Sequence, residues 1–420
     1  MTHRHSPSKP RPPRPGKGTI ASVSRWGRAL LGCLAFAAPG GAGAETLARS
    51  YPAIAGLVRI RSLDVVSAGA QLHALIAGSF AQRGDAVAYV RSRDDGRAWT
   101  SPVFLDRAGD PPPLARRGND ARLAVKGRQM VAVWQAQGQT PGTGPLRLAI
   151  SDDAGEHWRP GANPAVGDSQ RNQSYPALAF DAAGALHLVW LDDREQNGDT
   201  QGLRYARSLD GGRHWQRERT LDPAVCTCCW NRLAPLPDGA IAVLYRDSDP
   251  RDMRLALRRG GRWRDVGAVG AFGWQFPGCP HGGGGLAVAA EGAGAILHSL
   301  VWTGRDSAPG LFYLRSDDWG EHWSAPARLA GEDGRDGDIA AASVLHLASV
   351  FVRKTPTGSP LYAIQSRDGG RRWSDPIPLT PAETAADHPR ILATPTGYRV
   401  FWTEARPDGG KVWAIAALSR

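Results

Sequence analysis

The chain has 420 residues and a formal net charge of +11, with 42% hydrophobic residues, 51 Gly and 15 Trp. Seven of its 51 Lys/Arg lie in residues 1–44, where there is no Asp or Glu, so the remainder carries 44 basic against 40 acidic residues. A balance of about +4 there removes the case for a nucleic-acid partner.

The first element is a targeting segment. Arg4, Lys9, Arg11, Arg14, Lys17, Arg25 and Arg28 precede an apolar run, Ala29–Ala38, and then Pro39-Gly-Gly-Ala-Gly-Ala44. A basic region, a short apolar region and a small-residue site stand in the order of a secretory signal. Cleavage is expected after Ala44. The apolar run is too short to span a bilayer, and no later run is long enough. Residues 45–420 are therefore expected to form one exported domain, periplasmic or extracellular, monomeric and without an integral membrane segment.

Short strand-like runs then recur to the end of the chain. The first unit covers about Ser62–Trp99. The second holds Ala121–Val125, Met130–Trp134 and Leu146–Ile150, and the third Tyr175–Phe180, Ala185–Trp190 and Leu203–Arg207. Further units run over Arg232–Trp263, Leu286–Trp323, Ile339–Trp373 and Pro389 to about Leu418. Period-two alternation broken by Gly, Asp and Pro predicts strands. Abundant Gly and Trp with regular short strands predict an all-β chain. The last unit lacks a fourth strand, which residues 46–60 can supply by closing the ring.

Most units end in one turn, S-x-D-x-G-x-x-W. It occurs at Ser92/Asp94/Gly96/Trp99, Ser151/Asp153/Gly155/Trp158, Ser208/Asp210/Gly212/Trp215, Ser316/Asp318/Gly320/Trp323 and Ser366/Asp368/Gly370/Trp373. A worn copy remains at Gly260-Gly261-Arg262-Trp263. Ser and Asp side chains can satisfy backbone groups that a turn leaves unpaired, and Gly tolerates a positive φ. The Trp is expected to begin the next strand and pack between sheets. These Asp residues are read as structural. So are His157, His214 and His322, which lie in the turns beside Trp.

This turn is the Asp-box, and over residues 60–420 the chain resembles the Asp-box (BNR-repeat) proteins of the sialidase-like β-propeller superfamily. The resemblance implies a single β-propeller of four-stranded blades. Sialidases have six blades; the unit count here favours seven. Box turns then lie on one face, and inter-blade and second-to-third-strand loops on the other, where ligands are expected.

Four Cys fall in two loops expected on that second face: Cys226-Thr-Cys228-Cys229, entering the fourth unit, and Cys279-Pro-His281, entering the fifth. Three readings stand. An exported protein forms disulfides, although adjacent Cys228 and Cys229 pair only in a strained ring. Thiolates with His281 suit a soft metal, copper or zinc. A thiolate near Arg is also a reactive thiol. The chain further resembles secreted bacterial sialidase-like proteins carrying C-x-C-C and G-C-P in inter-blade loops. Between those motifs stand Tyr-Arg-Asp and Arg-Asp, here Tyr245-Arg246-Asp247 and Arg251-Asp252. It departs from them at Trp230-Asn231 and His281-Gly282, and this resemblance implies no activity.

A sialidase needs three Arg on a carboxylate, a Tyr nucleophile polarised by Glu, and an Asp acid/base. The resemblance suggests Tyr245 as nucleophile, Glu404 as its partner and Asp193 as acid, with Arg194, Arg246 and Arg390 among the arginines; Tyr175 and Asp120 are alternatives. The opening Arg-Ile-Pro of the family is Arg59-Ile60-Arg61 here. Ion pairs lining a propeller funnel explain the same residues. The expected function is ligand binding on the face opposite the boxes, of a small molecule, a glycan or a metal through Cys226, Cys228, Cys229, Cys279 and His281. The alternatives are an exo-α-sialidase-type glycoside hydrolase and a protein-interaction platform with structural disulfides.

Overall fold

The computed structural model describes residues 49–165, 171–194, 200–292 and 294–420. Residues 1–44 and the expected cleavage site lie outside the described residues. Among the described residues, 28 strands form seven four-stranded antiparallel sheets. The innermost strands of successive sheets, Leu57–Ala68, Arg122–Lys126, Gln173–Phe180, Arg232–Pro235, Gly285–Glu291, Gly334–Ala341 and Ala386–Thr394, touch one another in a closed ring. The fold is a seven-bladed β-propeller, not the six-bladed ring of sialidases.

The ring closes with strands from both ends of the chain. Blade seven takes three strands from Ala386–Leu418, and its outer strand is Arg49–Ser50, with Arg49 opposite Ala416 and Ser50 opposite Ile415. Closure lets the apolar faces of the first and last blades cover each other, Phe401, Trp413 and Ile415 packing with Leu63, Leu72 and Ile76.

The core lies between the blades. Seven apolar clusters each draw on two neighbouring sheets; Leu75, Tyr89, Met130 and Trp134, for example, join blades one and two. Second strands are therefore covered on both faces. In Leu186–Asp192 every residue is buried, including His187 and Asp192, so the expected alternation of buried and exposed residues is lost.

The five turns repeat one hydrogen-bond pattern. The Ser hydroxyl donates to the Asp two residues on and accepts from the Gly N–H, at 2.8–2.9 Å in each copy. The Asp accepts a backbone N–H four residues on. In three copies it also takes a ring nitrogen of His157, His214 or His322, all exposed. The Trp lies ahead of the outer strand rather than in it, and its ring reaches the preceding blade: Trp158 meets Tyr89, and Trp373 meets Tyr313. Gly370, at φ +86°, also admits no Cβ, which would overlap the Tyr313 hydroxyl. Because Ser366 is buried, Ser366→Ala strands the Gly370 N–H and should cost about 2 kcal/mol in chemical unfolding. A loss below about 0.5 kcal/mol would mean that water replaces the hydroxyl.

Three blades hold a second recurring pair. A histidine on the second strand meets a tyrosine hydroxyl on the third through Nδ1: His73 with Tyr89, His187 with Tyr205 and His298 with Tyr313, at 2.7–2.8 Å.

Candidate functional site

Each box joins the third to the fourth strand, so in these antiparallel sheets the inter-blade loops emerge at the opposite face. Two of these loops carry the cysteines. Cys226 ends the outer strand Arg219–Cys226 of blade three, and the loop through Cys228 and Cys229 leads into Arg232–Pro235 of blade four. Cys279 lies in the next such loop, between Arg262–Ala268 and Gly285–Glu291.

The first loop folds its three sulfurs together. Sγ of Cys226 lies 3.0 Å from Cys229 and 3.6 Å from Cys228, and the last two are 4.0 Å apart. All three are buried, and the four cysteines among the described residues are free thiols. Among the described residues no further Cys, His, Asp or Glu completes this group. Cys279 is exposed, its Sγ 3.5 Å from Thr227 Oγ1. His281 is exposed and donates only its backbone N–H, to Cys228 Sγ at 3.4 Å. The structure thus brings together three of the five expected ligands and leaves Cys279 and the His281 ring outside. In the run Gly282–Gly285 that follows, the chain passes close to Trp230, where a Cβ on Gly283 would overlap it.

Arg246 is a cation whose charge acts on this cluster. It is buried, and its guanidinium donates to the carbonyls of Gly282 (2.7 Å), Trp302 (2.9 Å) and Arg251. It forms no carboxylate ion pair among the described residues, and it lies over the Trp274 ring. An isolated bridge between Val225 and Asp247 holds the adjoining residues together. Hydrogen bonds from the Cys228 and Cys229 thiols, with the Arg246 charge, hold Cys226 far below the usual thiol range. Burial pushes Cys229 up to about 12. Three thiolates this close together need a further positive charge to coexist.

The same loop leads to the propeller axis. Trp230 lines an axial pocket with Arg117, Asp120, Asp336, Asp387, His388 and Arg390. Arg390 Nη2 donates to Asp120 at 2.6 Å, Arg122 pairs with Asp64 at 3.1 Å, and Arg232 pairs with Asp338 at 3.1 Å. Arg117 pairs with Asp336. Burial opposes ionisation of Asp120, yet His388, Arg122 and Arg390 outweigh it and hold the carboxyl below its usual range. Burial likewise lowers His388, but Asp120 and Asp387 overcome it and leave the imidazole raised. Asp336 is shifted up, because burial there exceeds the effect of Arg117. Nε of Arg122, Arg232 and Arg390 has no hydrogen-bond partner among the described residues. Sequence reasoning named Asp120 and Arg390 but missed Asp64, Arg122 and Arg232, charged residues on inner strands.

The residues suggested for glycoside hydrolysis occupy separate sites. Tyr245, in blade four, donates to Asp222 at 3.0 Å, and burial pushes its hydroxyl far up. Glu404, in blade seven, accepts from Trp402 (2.7 Å) and Tyr51 (3.0 Å). Arg194 is tied to Asp192 and Glu218 within blade three. Asp193, taking Asn172 Nδ2 at 3.3 Å, lines a cleft of about 870 Å³ with Arg147 and Arg171. Arg246 holds the carbonyls of Arg251, Gly282 and Trp302, and Arg390 lies at the axis. Of the alternatives, Tyr175 is buried with its N–H on Asn119, and Asp120 is in the axial cluster.

No known protein family and no curated protein matches the chain. Among solved structures it is similar to an ulvan lyase, a polysaccharide lyase, at 12% identity and TM-score 0.59, over 87% of this chain and 95% of that one. Polysaccharide lyase Uly1 matches at 11% identity and TM-score 0.52, over 86% and 90%. The NanB sialidase of Streptococcus pneumoniae gives 12% and TM-score 0.47, over 87% and 69%. The likeness is one of fold. Among the described residues no helix is long and apolar enough to cross a membrane.

Proposed function

We propose that this chain is an exported propeller that binds one monovalent copper ion through Cys226, Cys228 and Cys229. The reading rests on three buried sulfurs within 4.0 Å of one another beside a guanidinium that lacks a carboxylate. Soft thiolates favour Cu(I) and Zn(II), and zinc in a closed site takes four ligands. Three sulfurs suit three-coordinate Cu(I), and Arg246 offsets part of the negative charge of the trithiolate. Burial of the sulfurs disfavours a thiol that reacts with bulk substrates.

The test is anaerobic titration of residues 45–420 with Cu(I), and separately with Zn(II), against a competing chelator. One Cu(I) per chain is expected, with three sulfur neighbours by X-ray absorption, and Cys226→Ser should weaken binding at least 100-fold. Binding unchanged in that variant, or tight zinc with no copper preference, would overturn the proposal.

A second reading takes the axial arginines as a carboxylate site for an acidic glycan, in a sialidase-type hydrolase. The unpartnered Nε atoms of Arg122, Arg232 and Arg390 favour it. The axial cavity of about 10 Å³ does not, since that is barely the room of one water. Release of sugar from an aryl sialoside, lost in Arg390→Met, would bring this reading forward.

A further inference from the structure

Cys226, Cys228 and Cys229 are 1%, 5% and 1% exposed, so a metal carrier cannot reach them with its own ligands. Cys279 is different. Its thiol is in solvent, yet it touches Thr227, which stands between Cys226 and Cys228. Two residues further on, the backbone of His281 is bonded to Cys228 Sγ, and His281 takes a left-handed φ of 49° to make that contact. The segment Cys279–His281 therefore runs from a free thiol at the surface to a buried sulfur of the cluster. In the same loop Phe276 is 40% exposed and stacked on Trp274 at 5.3 Å.

Resting on the copper reading above, we propose that Cys279 is the receiving thiol through which Cu(I) passes to the buried trithiolate. The partner is a copper carrier that holds Cu(I) by thiolate or thioether sulfur. Such a centre exchanges ligands one at a time. A Cu–S bond to the carrier breaks as the bond to Cys279 Sγ forms, and the Cys279 proton leaves to solvent or to the departing thiolate. The copper remains Cu(I) throughout. Cys226, Cys228 and Cys229 then displace Cys279 in the same manner, and the surface thiol is free for the next exchange. Cys279 is thus a transfer residue and not a resident ligand, in keeping with its place outside the three-sulfur group.

The experiment is time-resolved anaerobic loading from Cu(I) held in excess glutathione, comparing the wild-type chain with Cys279→Ser and Cys226→Ser. Cys279→Ser should load at least tenfold more slowly while reaching the same stoichiometry and the same equilibrium affinity against a chelator. Equal rates would overturn the transfer role. A loss of stoichiometry or affinity in Cys279→Ser would also overturn it, by making Cys279 a resident ligand. Cu(I) that fails to bind the wild-type chain at all would remove the copper reading itself, and this proposal with it. Because Cys279 is exposed, its replacement leaves the fold in place, which the unfolding midpoint checks.

Discussion

Replacing Asp120 by Ala should cost about 3–5 kcal/mol in equilibrium unfolding, among the largest losses for any single change in this chain. The side chain is completely buried at the axis, where it accepts from Arg390 Nη2 at 2.6 Å and faces Arg122 at 3.5 Å and His388 at 3.6 Å. Arg122 keeps Asp64 and His388 keeps Asp387, but Arg390 loses its paired carboxylate in a place water cannot enter freely. An uncompensated buried cation is costlier than the pair was worth, which is why the loss exceeds that of a surface bridge. Asp120→Asn keeps the volume and one acceptor and should fall between Ala and wild type. Adding Arg390→Met to Asp120→Ala should recover part of the loss, because the stranded charge is then gone. A single-variant loss below about 1 kcal/mol would show that the axial charges are hydrated instead.

The axis and the cysteine loop were not equally legible. The blades were readable because the box recurs with strands on both sides, and even closure by the N-terminal strand follows from a last unit that lacks its fourth strand. The C-x-C-C spacing was readable as a thiol cluster, since residues so close in sequence can fold onto one point. Whether Cys279 and His281 join them depends on how two inter-blade loops lie across a blade junction, and no local spacing carries that. Asp64, Arg122 and Arg232 were missed because each occurs once in its own unit. Only the ring brings them within reach of one another. The glycosidase set failed to converge for the same reason: Tyr245 and Glu404 are on blades four and seven, and no local pattern reveals that separation.

The buried histidines were illegible for a different cause. His73, His187 and His298 each sit alone in an apolar strand, and their tyrosine partners are on the following strand, 15–18 residues away. Only the register places them opposite. At the box turns, by contrast, the histidine stands four residues after its Asp and is visible in the sequence.

Those three buried histidines make the fold acid-labile. Burial lowers each from 6.5 to about 4, with Arg91 adding to the effect at His73 and Arg315 at His298. At His187 the Asp181 carboxylate opposes burial, and the value is still about 4. In the unfolded chain these rings take a proton near pH 6.5, but in the folded chain only near pH 4. Stability is therefore complete above the unfolded value and falls as pH drops from there toward 4. By pH 5 the loss is about 2 kcal/mol per histidine. His388, raised by Asp120 and Asp387, works in the opposite sense and offsets part of it. Urea unfolding at pH 7.5 and pH 5 should show a net loss of several kcal/mol, and His298→Gln should flatten the profile by about one histidine's share. A profile level from pH 7.5 to 5 would mean that the folded rings take up protons as readily as the unfolded ones, and the His–Tyr pairs would then have to tolerate an imidazolium.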